Sequence, residues 1–440
     1  MSFDYRTASR SEIAAVAHSL VGRQLIEIDP AAPIRPSSER TKGVVGRIYE
    51  SAFGIPANSI QGADFPGAGV ELKSVPIRVV NGEARAKERV SLTMIDFDAL
   101  PSEDWETALV RKKLDDLLLI FYRWDPLFPI SRFTTLAAEI WQPDEESLRQ
   151  MRVDWERVRS LVRTNRRHEV SEGSTRLLGA ATKGSGHGST SRAWALKQTF
   201  VGYIYLSFVN GGRAAPTTDV ADPGMAFERA VLERTAPFVG RSLAELAETV
   251  RRSGIGGKAA AAQVARALVG ERGTGRHGEF ERFGIEVKTV PVDARGRLVE
   301  AMSFPAFVHE ELIFETWESS DLLARLNRLL IIPIHRERRA SLDAMRLGRP
   351  FFWNPTQTEL DGIRREWERY RGLIEQGQAR DLPKAAETTF IHVRPKARDS
   401  RDRDRAPGEI DVIRKCFWLN QRYLERVLDE HGALTAPPQR

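Results

Sequence analysis

The sequence predicts an α/β protein built as a tandem duplication, each copy a mixed central sheet flanked by helices. Three observations carry that prediction. WQPDEESLRQMRVDWER, from Trp141, returns as WNPTQTELDGIRREWER from Trp353; Trp-x-Pro opens both, and Trp-Glu-Arg recurs at Trp155 and Trp367. The offset of 212 residues, from Trp141 to Trp353, also carries Trp105-Glu106-Thr107 onto Trp317-Glu318-Ser319. DFPGAGVELKSVPI, from Asp64, parallels EFERFGIEVKTVPV, from Glu279, with an offset of 215 from Glu71 to Glu286. One such match could be chance, but three in the same order mark a duplication, and a repeat governs every later assignment.

At 440 residues, 41% of them hydrophobic, the chain fits two domains with real cores. NGGRAAPTTDVADPG, residues 210–224, has the composition of a linker. The expected layout is a first domain over 1–212, a linker over 213–225 and a second domain over 226–440. The balance of 66 Lys+Arg against 60 Asp+Glu gives +6, which permits a polyanionic partner without demanding one. A single cysteine, Cys416, excludes a disulfide framework and a Cys-rich zinc site. No N-terminal apolar core and no run near the roughly 18 apolar residues of a membrane span are present, so a cytoplasmic protein with no membrane partner is expected.

Taken in order, SRSEIAAVAHSLVG from Ser9 predicts an amphipathic helix with Ser and Glu at its start, as does VGRSLAELAETVRRSG from Val239. TKGVVGRIYESAFG, residues 41–54, predicts a helix with Val44, Val45 and Ile48 inward and Glu50 near its end. In DFPGAGVELK, Asp64 precedes a Pro66-Gly67 turn, and Glu71 and Lys73 share one face of a strand while Val70 and Leu72 face a core. LVRKKLDDLLLIFY places Lys113 ahead of a buried strand, which LLIIPI repeats in the second copy.

Two acids and a lysine at the lip of a sheet suit a metal-dependent nuclease. Carboxylates bind Mg²⁺ through hard oxygens; the ion acidifies water and neutralises charge developing on phosphate; a lysine orients the water and stabilises the anionic transition state. The bare motif Asp-x6-Glu-x-Lys recurs by chance in roughly one chain in ten of this length, and its bland reading is a solvated strand edge. Context decides between them.

Glu50, Asp64, Glu71-Leu72-Lys73 and Lys113 stand where the MutH-like nicking endonucleases of the PD-(D/E)xK superfamily carry their active-site residues. That resemblance implies that the three carboxylates (Glu50, Asp64, Glu71) and Lys73 serve a metal, Mg²⁺, and the water, with Lys113 a further catalytic position. The stretch from Thr316 through WNPTQTELDGIRREWERYRGLIEQGQ to HVRPKA resembles the DNA-facing half of MutH. Two such units, with AGVELK, ARAKER and LLGAATKG…SRAWALKQ in the first, resemble the two-domain restriction endonucleases of the Sau type, which cut GATC.

Sequence preference needs base-edge donors as well as phosphate contacts. In the first copy LGAATKGSGHGSTSRAWALKQ, residues 178–198, is the candidate reader: Thr182, Lys183 and Arg192 supply hydrogen-bonding groups and Lys197 a phosphate contact, with Lys42 a further cation. The alternative is a flexible surface loop. In the second copy Arg394-Pro395-Lys396 matches the MutH reading loop, and Trp418 falls where that family has a tyrosine near the recognised adenine. The RDSRDRDR run shortly after Lys396 reads as a solvated loop.

The second copy departs at the chemistry. Glu279 replaces Asp64, Ala265 or Arg266 falls at the Glu50 position, and Arg325 stands for Lys113, although Glu286 and Lys288 persist. A lost acid and a planar guanidinium for a compact ammonium lower the expected metal affinity. The resemblance implies that this copy binds DNA and regulates. The expected function is Mg²⁺-dependent cleavage of double-stranded DNA, with two sites engaged at once and a monomer or DNA-induced dimer acting. The alternatives are a repair-type nickase and a DNA-binding protein without nuclease activity.

Overall fold

Six consecutive apolar residues in LLLIFY leave no polar face for water, so that strand must be covered on both sides. In the computed structural model of the chain it is: every residue from Leu117 to Tyr122 is buried. The structure describes residues 3–35, 43–56, 62–80, 82–183, 191–210, 222–250, 259–270, 278–337, 340–408 and 410–437. They fall into two units, Met1–Ala221 and Asp222–Arg440. Most of the expected linker lies outside the described residues; its last positions belong to a helix, Pro223–Thr235, capped by Asp222.

The strands of the first unit are β1 (Glu71–Val80), β2 (Glu83–Ala86), β3 (Val90–Met94), β4 (Leu117–Arg123), β5 (Thr135–Trp141), β6 (Leu178–Thr182) and β7 (Arg192–Leu196). One sheet runs β2-β1-β4-β5, and a second, antiparallel, runs β3-β7-β6. β1 and β4 are parallel, with Glu71 opposite Leu117 and Lys73 opposite Leu119. Val70 and Leu72 join Ile13, Val45, Ile48, Tyr49 and Leu118 in one core. The helix Arg10–Leu20 opens on the expected box: Glu12 N–H donates to Ser9 Oγ at 3.3 Å, and Ser9 N–H to Glu12 Oε2 at 2.8 Å. The helix Val44–Ala52 turns Val45, Ile48 and Tyr49 into the core, with Val44 half-buried.

In the second unit the strands are β8 (Ile285–Val292), β9 (Ser303–Ala306), β10 (Arg328–His335), β11 (Arg346–Leu347), β12 (Phe351–Trp353), β13 (Ile391–Pro395), β14 (Arg403–Ala406), β15 (Ile410–Ile413) and β16 (Lys415–Leu419). β8 and β10 are parallel with Glu286 opposite Leu329, and β10 pairs antiparallel with β11 and β12. β13-β16-β9 forms an antiparallel sheet. Instead of a solvated loop, RDSRDRDR feeds the hairpin β14–β15. Its alternation explains this: Ala406 and Val412 are buried, while Arg403 faces out and pairs with Asp411 at 2.5 Å.

The likeness of the units extends to single side chains. The helices Glu145–Arg163 and Gln357–Glu375 are both 19 residues long. Trp155 lies 5.7 Å from Trp105 at 55°, and Trp367 lies 5.8 Å from Trp317 at 57°. The acid before each tryptophan gathers three successive backbone N–H groups. Asp154 accepts from Arg176, Leu177 and Leu178 at 2.7–2.8 Å, and Glu366 from Thr389, Phe390 and Ile391 at 2.6–3.0 Å. Each acid thereby fixes the entry to a strand, β6 or β13. No helix among the described residues is long and apolar enough to cross a membrane.

Candidate active site

Parallel pairing of β1 with β4 brings the turn ahead of β4 alongside the start of β1. Glu71 N–H donates to Asp116 O at 3.0 Å, and Lys113, the last residue of the helix Leu109–Lys113, reaches Glu71 Oε2 at 2.7 Å. Lys73, two residues along the same face, donates to Glu71 Oε1 at 2.8 Å. The turn after Asp64 folds back as a Phe65–Val70 bridge, with Gly69 at φ +69°, a conformation that costs glycine little. That return lets Asp64 Oδ2 accept from Leu72 N–H at 2.8 Å. Glu50 comes from the last turn of Val44–Ala52, whose Gly46 would place a Cβ 3.6 Å from Ser74 Oγ on β1. A helix that close sets Glu50 over the strand.

The electrostatics separate the three acids. Burial and the neighbouring Asp64 push the Glu50 carboxyl upward. Burial also raises Asp64, with Glu71 adding to the effect and the Leu72 N–H opposing it. Burial works the same way on Glu71, but Lys73 and Lys113 overcome it and hold that carboxyl below its usual range. Two acids are therefore raised chiefly by burial, each with a neighbouring carboxylate adding to the effect. That donor chemistry fits a hard divalent cation. Among the described residues no group of three such side chains is placed to hold a metal ion, and both Glu71 oxygens accept from lysines.

Beside Lys73 lies a cavity of about 240 Å³ lined by Ser74, Glu88, Arg89 and Ser91 among others. Sequence reasoning did not pick out these four. Glu88 and Arg89 fall in the phrase ARAKER, whose Lys87 lies over the Trp124 ring at 4.7 Å and donates to Glu88 at 3.1 Å.

A family model described as "DNA mismatch repair enzyme MutH" matches residues 53–154 and 270–366. "DNA mismatch repair protein MutH" of Pectobacterium atrosepticum is 30% identical over 46% of this chain and 92% of its own length. The chain belongs to the MutH family. Its counterpart in Klebsiella pneumoniae is 32% identical over 36% of this chain and 69% of its own length. "Type II restriction enzyme Sau3AI" of Staphylococcus aureus is 25% identical over 94% of this chain and 97% of its own length. The chain is thus a MutH-like DNA endonuclease. The two matched segments contain Asp64, Glu71, Lys73 and Lys113, and Glu279, Glu286, Lys288 and Arg325; Glu50 lies just before the first.

In the second unit Glu286 is gripped differently. Arg325 Nη1 lies 3.0 Å from both its oxygens, and Arg325 Nε reaches Asp321 Oδ2 at 2.5 Å. Lys288 Nζ is 3.1 Å from Glu286 Oε1 and 3.1 Å from Ser303 O, and burial lowers its pKa. Ala265 is fully buried and has no donor atom, while Arg266 Nη2 donates to Val287 O at 3.2 Å. Glu279 is half-buried on the short helix Gly278–Arg282, not in an extended turn like that of Asp64.

The expected DNA contacts divide. Thr182 and Arg192 face each other across β6–β7, Arg192 Nη1 donating to Thr182 Oγ1 at 2.7 Å. Lys183 is half-buried, and its N–H donates to Ser191 O at 2.9 Å. Arg394 and Lys396 are exposed, and Lys396 N–H donates to Arg414 O at 2.9 Å in the same way. Trp418 is half-buried on β16, stacked at 15° with His392. Lys42 and residues 184–190 of the first reading loop lie outside the described residues. Lys197 does not offer itself to phosphate: it is 2% exposed and its ammonium donates to Thr175 O at 2.7 Å. Asn420 at the matching strand end donates to Thr388 O at 2.7 Å, so both residues brace a loop.

Proposed function

We propose that this MutH-family endonuclease cuts double-stranded DNA at a short specific site, GATC, using Mg²⁺ held by Glu50, Asp64 and Glu71. The observation that carries the reading is the meeting of Glu71 with Lys73 and Lys113 beside a second carboxylate fixed by the Leu72 N–H. When bound, the cation supplies charge neutralisation and an acidified water. The chain's own residues do the rest. Glu50 and Asp64, both raised by burial, give up protons more readily once positive charge arrives. Lys73 and Lys113 are the groups that hold Glu71 ionised beforehand, and in this reading their ammonium groups serve a phosphate oxygen or the attacking water. Duplicated units support a division of labour in which the first cuts and the second, with Arg325 on Glu286, binds an effector DNA site through Arg394 and Lys396.

With one cutting unit per chain, a double-strand break needs two chains on the DNA or two successive nicks. A repair-type nickase is the second reading, favoured by matches to MutH proteins that span 46% of this chain; the 94% match to a restriction enzyme favours the first. The test is purified protein with plasmid DNA, with and without Mg²⁺ and with and without adenine methylation at GATC. Linear product with ends at GATC is expected. Nicked circles alone would support the nickase. Tight, steeply salt-dependent binding with no cleavage in any divalent metal would leave only a DNA-binding role.

A further inference from the structure

The cluster around Glu286 is linked to the reading loop by a continuous chain of contacts. Lys288 Nζ donates to Ser303 O at 3.1 Å and lies 4.9 Å from the centre of the Phe304 ring. Lys396 Nζ donates to Ser303 Oγ at 3.0 Å and to Phe304 O at 2.7 Å. Two ammonium groups therefore converge on two consecutive residues of β9. β9 is held along its other edge by β16, with Ser303 opposite Trp418, and β16 pairs with β13, which leads into Lys396. The loop, the strand and the cluster form one closed circuit.

Two cations converging on one stretch of backbone repel each other, and the effect grows as water is excluded. Glu286 offsets that repulsion for Lys288, and Arg325 in turn fixes Glu286 through both oxygens. Strand register places Ser91 where Ser303 stands: Ser91 faces Ala195 and Ser303 faces Trp418, each one residue before a buried leucine, Leu196 or Leu419. There Ser91 and Lys73 line the cavity. In the second unit the matching Ser303 is bridged by Lys288 and Lys396.

We propose that Glu286, Arg325 and Lys288 are positioning residues for Lys396. They hold β9 so that the Lys396 ammonium is fixed by two acceptors and its third N–H is presented to duplex DNA. A lysine fixed beforehand loses less rotamer entropy on contact, which favours tight and selective binding. The proposal rests on the reading that the second unit binds DNA through this loop.

The test is competition binding in EDTA by the full chain, with a labelled duplex containing GATC against the same duplex with those four bases scrambled. Lys396→Ala should lower the preference for GATC by about tenfold, the size expected for one lost base-edge contact. Lys288→Met keeps the stem and leaves the Glu286–Arg325 pair intact, so it should reproduce most of that loss without lowering the melting temperature. Ser303→Ala, which changes no charge, should move the preference in the same direction by less. If Lys396→Ala has no effect, the reading loop is misassigned and the proposal fails with it. If Lys396→Ala lowers the preference but Lys288→Met, folded, does not, the loop reads DNA unaided and the positioning role is overturned. Should Lys288→Met unfold, Ser303→Ala decides: an unchanged preference overturns the proposal.

Discussion

Glu71 and Glu286 occupy the same place on matching strands, each with a lysine two residues on and a cation from the helix ahead of the next strand. What differs is how firmly those cations are held. Around Glu71 the side chains of Lys73 and Lys113 are 28% and 24% exposed. Around Glu286 those of Lys288 and Arg325 are 12% and 4% exposed, and each has a second acceptor, Ser303 O and Asp321. An acid whose partners can turn to water or phosphate is available to a metal. One gripped by a buried guanidinium is part of the scaffold.

The largest effect should follow from breaking the first site. Glu71→Ala or Lys73→Ala is expected to reduce cleavage by at least about 10²–10³-fold, the scale on which single groups stabilising a transition state act. DNA affinity should stay within a few fold, since the role proposed for both is at the reacting phosphate and not in the groove. Asp64→Asn should behave alike, removing the charge of a proposed metal ligand at nearly constant shape. Single-turnover cleavage and binding, measured on the same preparations, separate the two quantities. Normal cleavage with lost affinity would show that β1 binds DNA and does no chemistry.

Much of this contrast was legible in the sequence. Glu-x-Lys fixes two residues on one strand face, the repeat of Trp-x-Pro fixes the register between the two units, and Arg325 stands where the first unit has Lys113. Other parts were not legible, for physical reasons. A lysine before a helix looks the same whether it meets solvent or, as Lys197 does, a buried carbonyl. Glu279 matches Asp64 by alignment, yet the helix that holds it depends on packing around Phe280, which no local pattern specifies. Asp154 and Glu366 preceded conspicuous tryptophans, but the N–H groups they accept from lie more than twenty residues downstream.

A second prediction sharpens the comparison through stability. Glu286→Ala leaves Arg325 and Lys288 buried with a carboxylate missing between them, and breaking a buried pair in this way costs about 3–5 kcal/mol. Glu71→Ala should cost clearly less, because water can solvate Lys73 and Lys113 once the carboxylate is gone. Urea unfolding followed by tryptophan fluorescence measures both. Equal losses would mean that the two carboxylates are equally structural, and the contrast would collapse.

A smaller effect is expected where the units cooperate. If the second unit binds one site and favours an active arrangement of the first, DNA must bind that arrangement better than the inactive one. A plasmid with two GATC sites should then be cut several-fold faster than one with a single site, and a short GATC duplex added in trans should rescue the slow substrate. Lys396→Ala should bring the ratio of two-site to one-site rates close to one, a change of about 1 kcal/mol in coupling. A ratio that Lys396→Ala leaves intact would assign the second contact to another surface or another molecule.

The smallest effect is expected from making the second site resemble the first. Arg325→Lys replaces a guanidinium that spans both Glu286 oxygens by an ammonium, as Lys113 is to Glu71. One ammonium cannot keep both the Nη1 contact to Glu286 and the Nε contact to Asp321, although the charge is kept, so stability of the second unit should fall by about 1 kcal/mol. Cleavage should not appear, because neither Ala265 nor Arg266 supplies a carboxylate where the first unit has Glu50. The decisive background is Glu71→Ala, in which the first site is silent. In it, Arg325→Lys should leave supercoiled plasmid uncut in Mg²⁺. If nicked circles form instead, the guanidinium alone separates the two sites, and the missing helix acid does not matter to the chemistry.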